Sequence, residues 1–170
     1  MMEQALIQNA QAYASRHQLR LAERLGFGIH GIIFVAEDNL KVGKTAVKAH
    51  HSIEPYLRER EVYQRLKSAG VADVIGFRVP QLIRFDDPLR VIEMSIVARP
   101  FVLDFAGAWM DVPPEFSEET WAEWEAEKQK QFEGRWSQVQ AVLAALEAMD
   151  IHMIDVSPSN ISFAAESLNR

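Results

Sequence analysis

Residues 21–48, LAERLGFGIHGIIFVAEDNLKVGKTAVK, constrain the fold more than any other stretch of the chain. Three glycines, Gly26, Gly28 and Gly31, stand between strand-like runs, and a further short run ends on Lys48. The spelling GxGxxG serves both phosphate-covering hairpins and dinucleotide-binding units, so the residues that follow it decide between them. In a dinucleotide-binding unit the glycines open a helix. Here Ile32, Ile33, Phe34 and Val35 follow, an apolar and largely β-branched run that favours a strand. The glycines therefore belong to a hairpin. Without Cβ atoms its backbone can take φ > 0 and come close to a ligand, so that its N–H groups cover phosphate oxygens.

An acidic turn at Glu37, Asp38 and Asn39, closed by Gly43, leads into Thr45-Ala46-Val47-Lys48, a short strand carrying a lysine. At this point the sequence resembles the protein-kinase-like superfamily. GFGIHGII matches its GxGxxGxV loop, Ala46-Val47-Lys48 matches the end of its VAIK strand, and the spacing between the two is similar. The resemblance implies that Gly26, Gly28 and Gly31 cover the phosphates of ATP and that Lys48 holds the α- and β-phosphates. A plain glycine-rich hairpin beside a solvated lysine is the alternative for this pair of motifs alone.

The next segment, IEPYLREREVYQRLKSAG, reads as a helix, with Pro55 suited to its first turn and Gly70 to the position past its end. Val62, Tyr63 and Leu66 lie three, four and seven positions after Glu59, so Glu59 shares their face. Glu61 stands two residues on, about 200° around the helix, and points to solvent if that face is buried. A carboxylate on a buried stripe wants a cation, and Lys48 is the obvious one. The resemblance supplies the same pairing, because a helix of this kind in kinase-like proteins carries the glutamate that meets the strand lysine. Two solvated glutamates on an amphipathic helix are the alternative.

The remaining elements fall into order around these motifs. Residues 3–17 form a predicted packing helix with Leu6, Ala10, Tyr13 and Ala14 on one stripe. Residues 19–25, 32–37, 45–48, 79–85 and 90–98 are the strands of an expected five-stranded antiparallel sheet. His30 is expected as an exposed loop residue, and His50 and His51, without partners at metal-ligand spacing, as solvated. By order in the chain, residues 99–103 would form the hinge of a kinase-like fold; Asp104, which follows, is expected as a solvated loop carboxylate, with a ribose contact as the alternative. Residues 105–116, with Gly107, Pro113 and Pro114, read as a loop. Residues 117–149 are helical, with a break near Glu133-Gly134, and their tryptophans are expected to pack rather than to bind.

The last motif is IHMIDVSPSNISF, in which four residues separate Asp155 from Asn160, as in the HRDxxxxN loop of kinases. By resemblance Asp155 is the catalytic base that accepts the proton of a substrate hydroxyl, and Asn160 is a magnesium ligand. Met153 and Ile154 replace the family's His and Arg, and no Asp-Phe-Gly triplet, whose Asp holds the main metal ion, occurs among the 170 residues. The resemblance thus implies an α+β, kinase-like fold. Residues 1–104 would be an intact small lobe and residues 105–170 a truncated helical second lobe. An apolar end of that second lobe would be covered by self-association or by the N-terminal helix.

Loss of a principal metal ligand removes several kcal/mol of transition-state stabilisation, on the order of several powers of ten in rate, while ground-state binding survives. The expectation is therefore a nucleotide-binding, pseudokinase-type module with weak or absent phosphoryl transfer, holding ATP and, weakly, Mg²⁺. An ATP-dependent phosphotransferase completed by another chain or a C-terminal continuation, and an interaction scaffold that binds no nucleotide, remain as alternatives. A formal net charge of −6 and the lack of a basic stripe argue against nucleic acid as a partner. The absence of cysteine fits the cytoplasm, and no apolar run is long enough for a membrane span. The expected partners are the nucleotide and either a protein or a second copy of the chain.

Overall fold

The computed structural model describes residues 1–165. In chain order the elements are α1 (Met2–Arg16), β1 (Leu19–Gly28), β2 (Gly31–Asp38), β3 (Lys44–His50), α2 (Ile53–Ser68), β4 (Asp73–Val74), β5 (Phe77–Arg78), β6 (Leu82–Asp86) and β7 (Val91–Ser95). There follow β8 (Phe101–Val102), β9 (Trp109–Met110), α3 (Glu118–Phe132), α4 (Trp136–Glu147), β10 (Ile151–His152) and β11 (Ile161–Ser162). This α+β chain divides into two units, Met1–Gly70 with Pro80–Ile96, and Val71–Val79 with the residues from Val97 onward. Among the described residues no helix is long and apolar enough to cross a membrane.

The first unit is built on a five-stranded sheet in the order β1-β2-β3-β7-β6, antiparallel throughout. Alternation along the strands sorts side chains to two faces. Ile32, Ala36, Val47, Ala49 and Val91 meet the predicted stripe of α1, Leu6, Ala10, Tyr13 and Ala14, in one core cluster. Ala46, Lys48 and His50 take the opposite face of β3, and α2 packs against β3, β6 and β7. The sheet is thus covered on both sides, which explains why five consecutive residues of β3 are buried. Because α1 packs on β1, β2, β3 and β7, its apolar stripe covers the sheet of its own unit.

A buried carboxylate ties α1 to this sheet. Glu93 on β7 is 1% exposed and accepts hydrogen bonds from the Tyr13 hydroxyl at 2.7 Å, Thr45 Oγ1 at 2.9 Å and Arg84 Nε at 2.8 Å. Burial, then the hydrogen bond to Glu93 and its charge, push the Tyr13 hydroxyl above the usual phenol range. Desolvation opposes the charge on Arg84, but the charge and hydrogen bond of Glu93 outweigh it and raise that guanidinium further.

In the second unit α3 and α4 pack together, joined by one 3-10 turn at Glu133–Arg135, where Glu133 takes φ +50°. That is the predicted break. Ser117 caps α3 by accepting a hydrogen bond from the Thr120 N–H at 3.1 Å. On α4, Trp136, Val139, Val142, Leu143 and Leu146 are buried at helical spacing. Short strands complete the unit: β10 pairs with β9, and β11, β8, β5 and β4 form a second sheet. Two expectations change here. Residues 105–116 contain strand β9, and the strand expected at 79–85 begins at Leu82, with Val79 assigned to the second unit.

Candidate functional site

The glycine hairpin forms as the pattern dictates. Gly28 on β1 pairs with Gly31 on β2, and Ile29 and His30 make the two-residue tip. The three glycines are not equivalent. A Cβ built on Gly31, whose φ is +155°, would lie 2.0 Å from the carbonyl oxygen of Ala49 on the neighbouring strand, so only glycine lets β2 and β3 approach there. At Gly28 a Cβ would meet nothing within 4 Å among the described residues, and at Gly26 only the Ile33 Cδ1 at 4.0 Å. Packing within the chain therefore explains Gly31, leaves Gly26 in ordinary contact with Ile33, and leaves Gly28 with open space beside it.

Strand β3 brings Lys48 to the face covered by α2, and α2 presents Glu59 on its buried stripe with Tyr56, Val62, Tyr63 and Leu66. Lys48 Nζ and Glu59 Oε2 lie 2.7 Å apart, 3% and 1% exposed as residues. This is the pairing that the helix spacing predicts, and Glu61 points outward, its side chain 51% exposed. Burial alone would raise the Glu59 carboxyl. The Lys48 charge, the His50 hydrogen bond and the His50 charge outweigh burial and hold it at about 2.

His50 is the residue that sequence reasoning misplaced. It is fully buried, with Nε2 2.6 Å from Glu59 Oε2 and Nδ1 3.2 Å from the carbonyl oxygen of Arg90. Both partners are acceptor oxygens, and the ring's tautomer decides which of them it donates to. The signal was available. His50 stands two residues after Lys48 on a strand, which places both on one face. His51 is half-buried; its N–H donates to the His30 carbonyl at 3.2 Å and its ring meets Phe27 edge-on at 5.9 Å.

The second unit carries the Asp155–Asn160 loop between β10 and β11. Asn160 is buried, 5% exposed, and its Nδ2 donates to the Asp155 carbonyl at 2.6 Å, closing the loop on itself. Its Oδ1 accepts from the hydroxyls of Ser157 and Ser159, and the Asn160 carbonyl accepts from the Leu103 N–H at 2.9 Å. Asp155 is exposed. The expected hinge falls within this unit, since Phe101 and Val102 pair with Ser162 and Ile161. Asp104 adopts φ +65°.

Asn160 Oδ1 is an oxygen of the type a hard divalent cation takes, and the Ser157 and Ser159 hydroxyls already donate to it. No group of three His, Cys, Asp or Glu suited to a metal occurs among the described residues, so Asn160 would leave most of a magnesium shell to phosphate and water. Compared with known proteins, the chain matches no family model and no curated protein.

Proposed function

We propose that the chain is a kinase-like, nucleotide-binding module of the pseudokinase type, binding ATP or a related nucleotide with weak or absent phosphoryl transfer. The observation that carries this reading is the buried Lys48–Glu59 ion pair on β3 and α2, in the same unit as a glycine hairpin with open space at Gly28. A lysine paired with a buried carboxylate is held in one direction, which a phosphate-holding cation requires. Glu59 acts through Lys48 as a positioning residue. Mg²⁺, when bound, would neutralise phosphate charge, with Asn160 as the residue to hold it. Asp155 is the group in this reading that would accept a hydroxyl proton. The sequence holds no Asp-Phe-Gly triplet, so the family's principal metal ligand is not among these residues.

Titration calorimetry with ATP tests the reading. The wild type is expected to bind, and Gly28→Val, which the fold accommodates at an open position, is expected to weaken binding by at least about tenfold by filling the ligand's space. Equal affinity in the two proteins contradicts the hairpin's role. One observation favours a second reading, an interaction scaffold: Lys48 is only 3% exposed, so a phosphate reaches its Nζ only after covering atoms move. In that reading neither protein binds ATP.

A further inference from the structure

An apolar side chain fills a buried strand position without polar cost, yet β3 carries an imidazole at His50, 0% exposed and on the same face as Lys48. The ring is pinned from three sides. Nε2 lies 2.6 Å from Glu59 Oε2, Nδ1 lies 3.2 Å from the Arg90 carbonyl oxygen, and the Tyr56 ring meets it edge-on with centroids 5.5 Å apart. Its backbone is fixed as well, because the His50 N–H donates to the Arg90 carbonyl at 3.0 Å and His50 pairs with Gly31 of the glycine hairpin.

Lys48 Nζ meets the same carboxylate oxygen, Glu59 Oε2, at 2.7 Å. Against the pull of burial, Lys48 and His50 hold the Glu59 carboxyl at about 2, so it is ionised at neutral pH and only accepts hydrogen bonds. The 2.6 Å contact therefore puts a ring proton on Nε2, and two donors share one acceptor. This sharing matters when an anion approaches. A phosphate draws the lysine toward itself, and a buried glutamate with no other partner would be left with an uncompensated charge, which is costly. His50 supplies the other partner.

We propose that His50 is a positioning residue for phosphate binding: its Nε2 holds Glu59 in place while Lys48 Nζ turns from that carboxylate to the phosphates of the nucleotide. It acts through Glu59 and Lys48 and makes no contact with the ligand. This role rests on nucleotide binding by the first unit.

Titration calorimetry of the full chain with ATP and with adenosine tests the role. In His50→Gln the side-chain amide replaces Nε2 as the donor to Glu59, whereas the shorter amide of His50→Asn replaces Nδ1 at the Arg90 carbonyl and falls short of Glu59. His50→Asn is expected to bind ATP about tenfold more weakly than the wild type, and His50→Gln to recover most of that loss. Both are expected to bind adenosine, which brings no phosphate to Lys48, as the wild type does. A ring that only supported the fold would move both ligands together. Wild-type ATP affinity in His50→Asn overturns the proposal, as does a His50→Gln no tighter than His50→Asn, or an equal loss for adenosine. Each of those results leaves nucleotide binding by the wild type standing. A wild type that binds neither ligand overturns nucleotide binding and this role together.

Discussion

Glu59 is the residue on which the first unit turns, since it is buried and meets two basic side chains at one oxygen. Its carboxyl sits at about 2 instead of the ordinary 4.5. A depressed carboxyl stabilises the fold fully above the unfolded value and loses that contribution as pH falls toward the folded value. Here the window runs from about 4.5 down to about 2, and the contribution is on the order of 3 kcal/mol. Urea unfolding across that range should show stability falling with acid in the wild type and a flatter dependence in Glu59→Gln. That variant should also be less stable at neutral pH by roughly 3–5 kcal/mol, because it strands a buried lysine. The glycines separate in the same experiment. Gly31→Ala should lose more than about 2 kcal/mol through its clash with the Ala49 carbonyl, while Gly28→Ala should change stability by less than about 1 kcal/mol.

Among the elements, α1 has the most instructive attachment. Its apolar stripe was readable from spacing, but its partner was not: Tyr13 bonds Glu93, 80 residues away, and nothing local links the two. Tyr13→Phe removes one of the hydrogen bonds to a buried carboxylate and should cost about 1.5–3 kcal/mol, measured by urea unfolding at neutral pH. A change within a few tenths of a kcal/mol would show that Thr45 and Arg84 suffice. Long periodic elements were legible in this way throughout. The β1–β3 strands, α2 and the α3–α4 pair carry the alternation or helical spacing that burial imposes. Strands β4, β5 and β8 to β10 are two residues each, too short to hold any period, and so the sequence reads there as loop, hinge or no element, whereas the apolar run Ile161 to Phe163 is strand-like and holds β11. His50 was missed for a different reason. It was weighed as a metal ligand by its spacing from other histidines, when strand alternation already placed it beside Lys48.

At the scale of the whole molecule, the sequence motifs divide between two units, with the glycine hairpin, Lys48 and Glu59 in one and Asp155 and Asn160 in the other. Each unit has a tie of its own: a buried ion pair in the first, an asparagine locked to the Asp155 carbonyl in the second. Helix spacing made the Lys48–Glu59 pair legible, because a charge on an apolar stripe requires a partner. The Asn160 tie is a side-chain contact to backbone within one loop and leaves no such pattern. Nucleotide binding is the claim on which the functional account depends, and thermal unfolding of the full chain with and without ATP tests it most directly. At about a hundred times its dissociation constant ATP should stabilise the wild type by roughly 2.7 kcal/mol, a rise of several degrees, and should leave Gly28→Val at its own unliganded midpoint. An unchanged wild-type midpoint at millimolar ATP, with or without magnesium, would contradict the account and favour the scaffold reading.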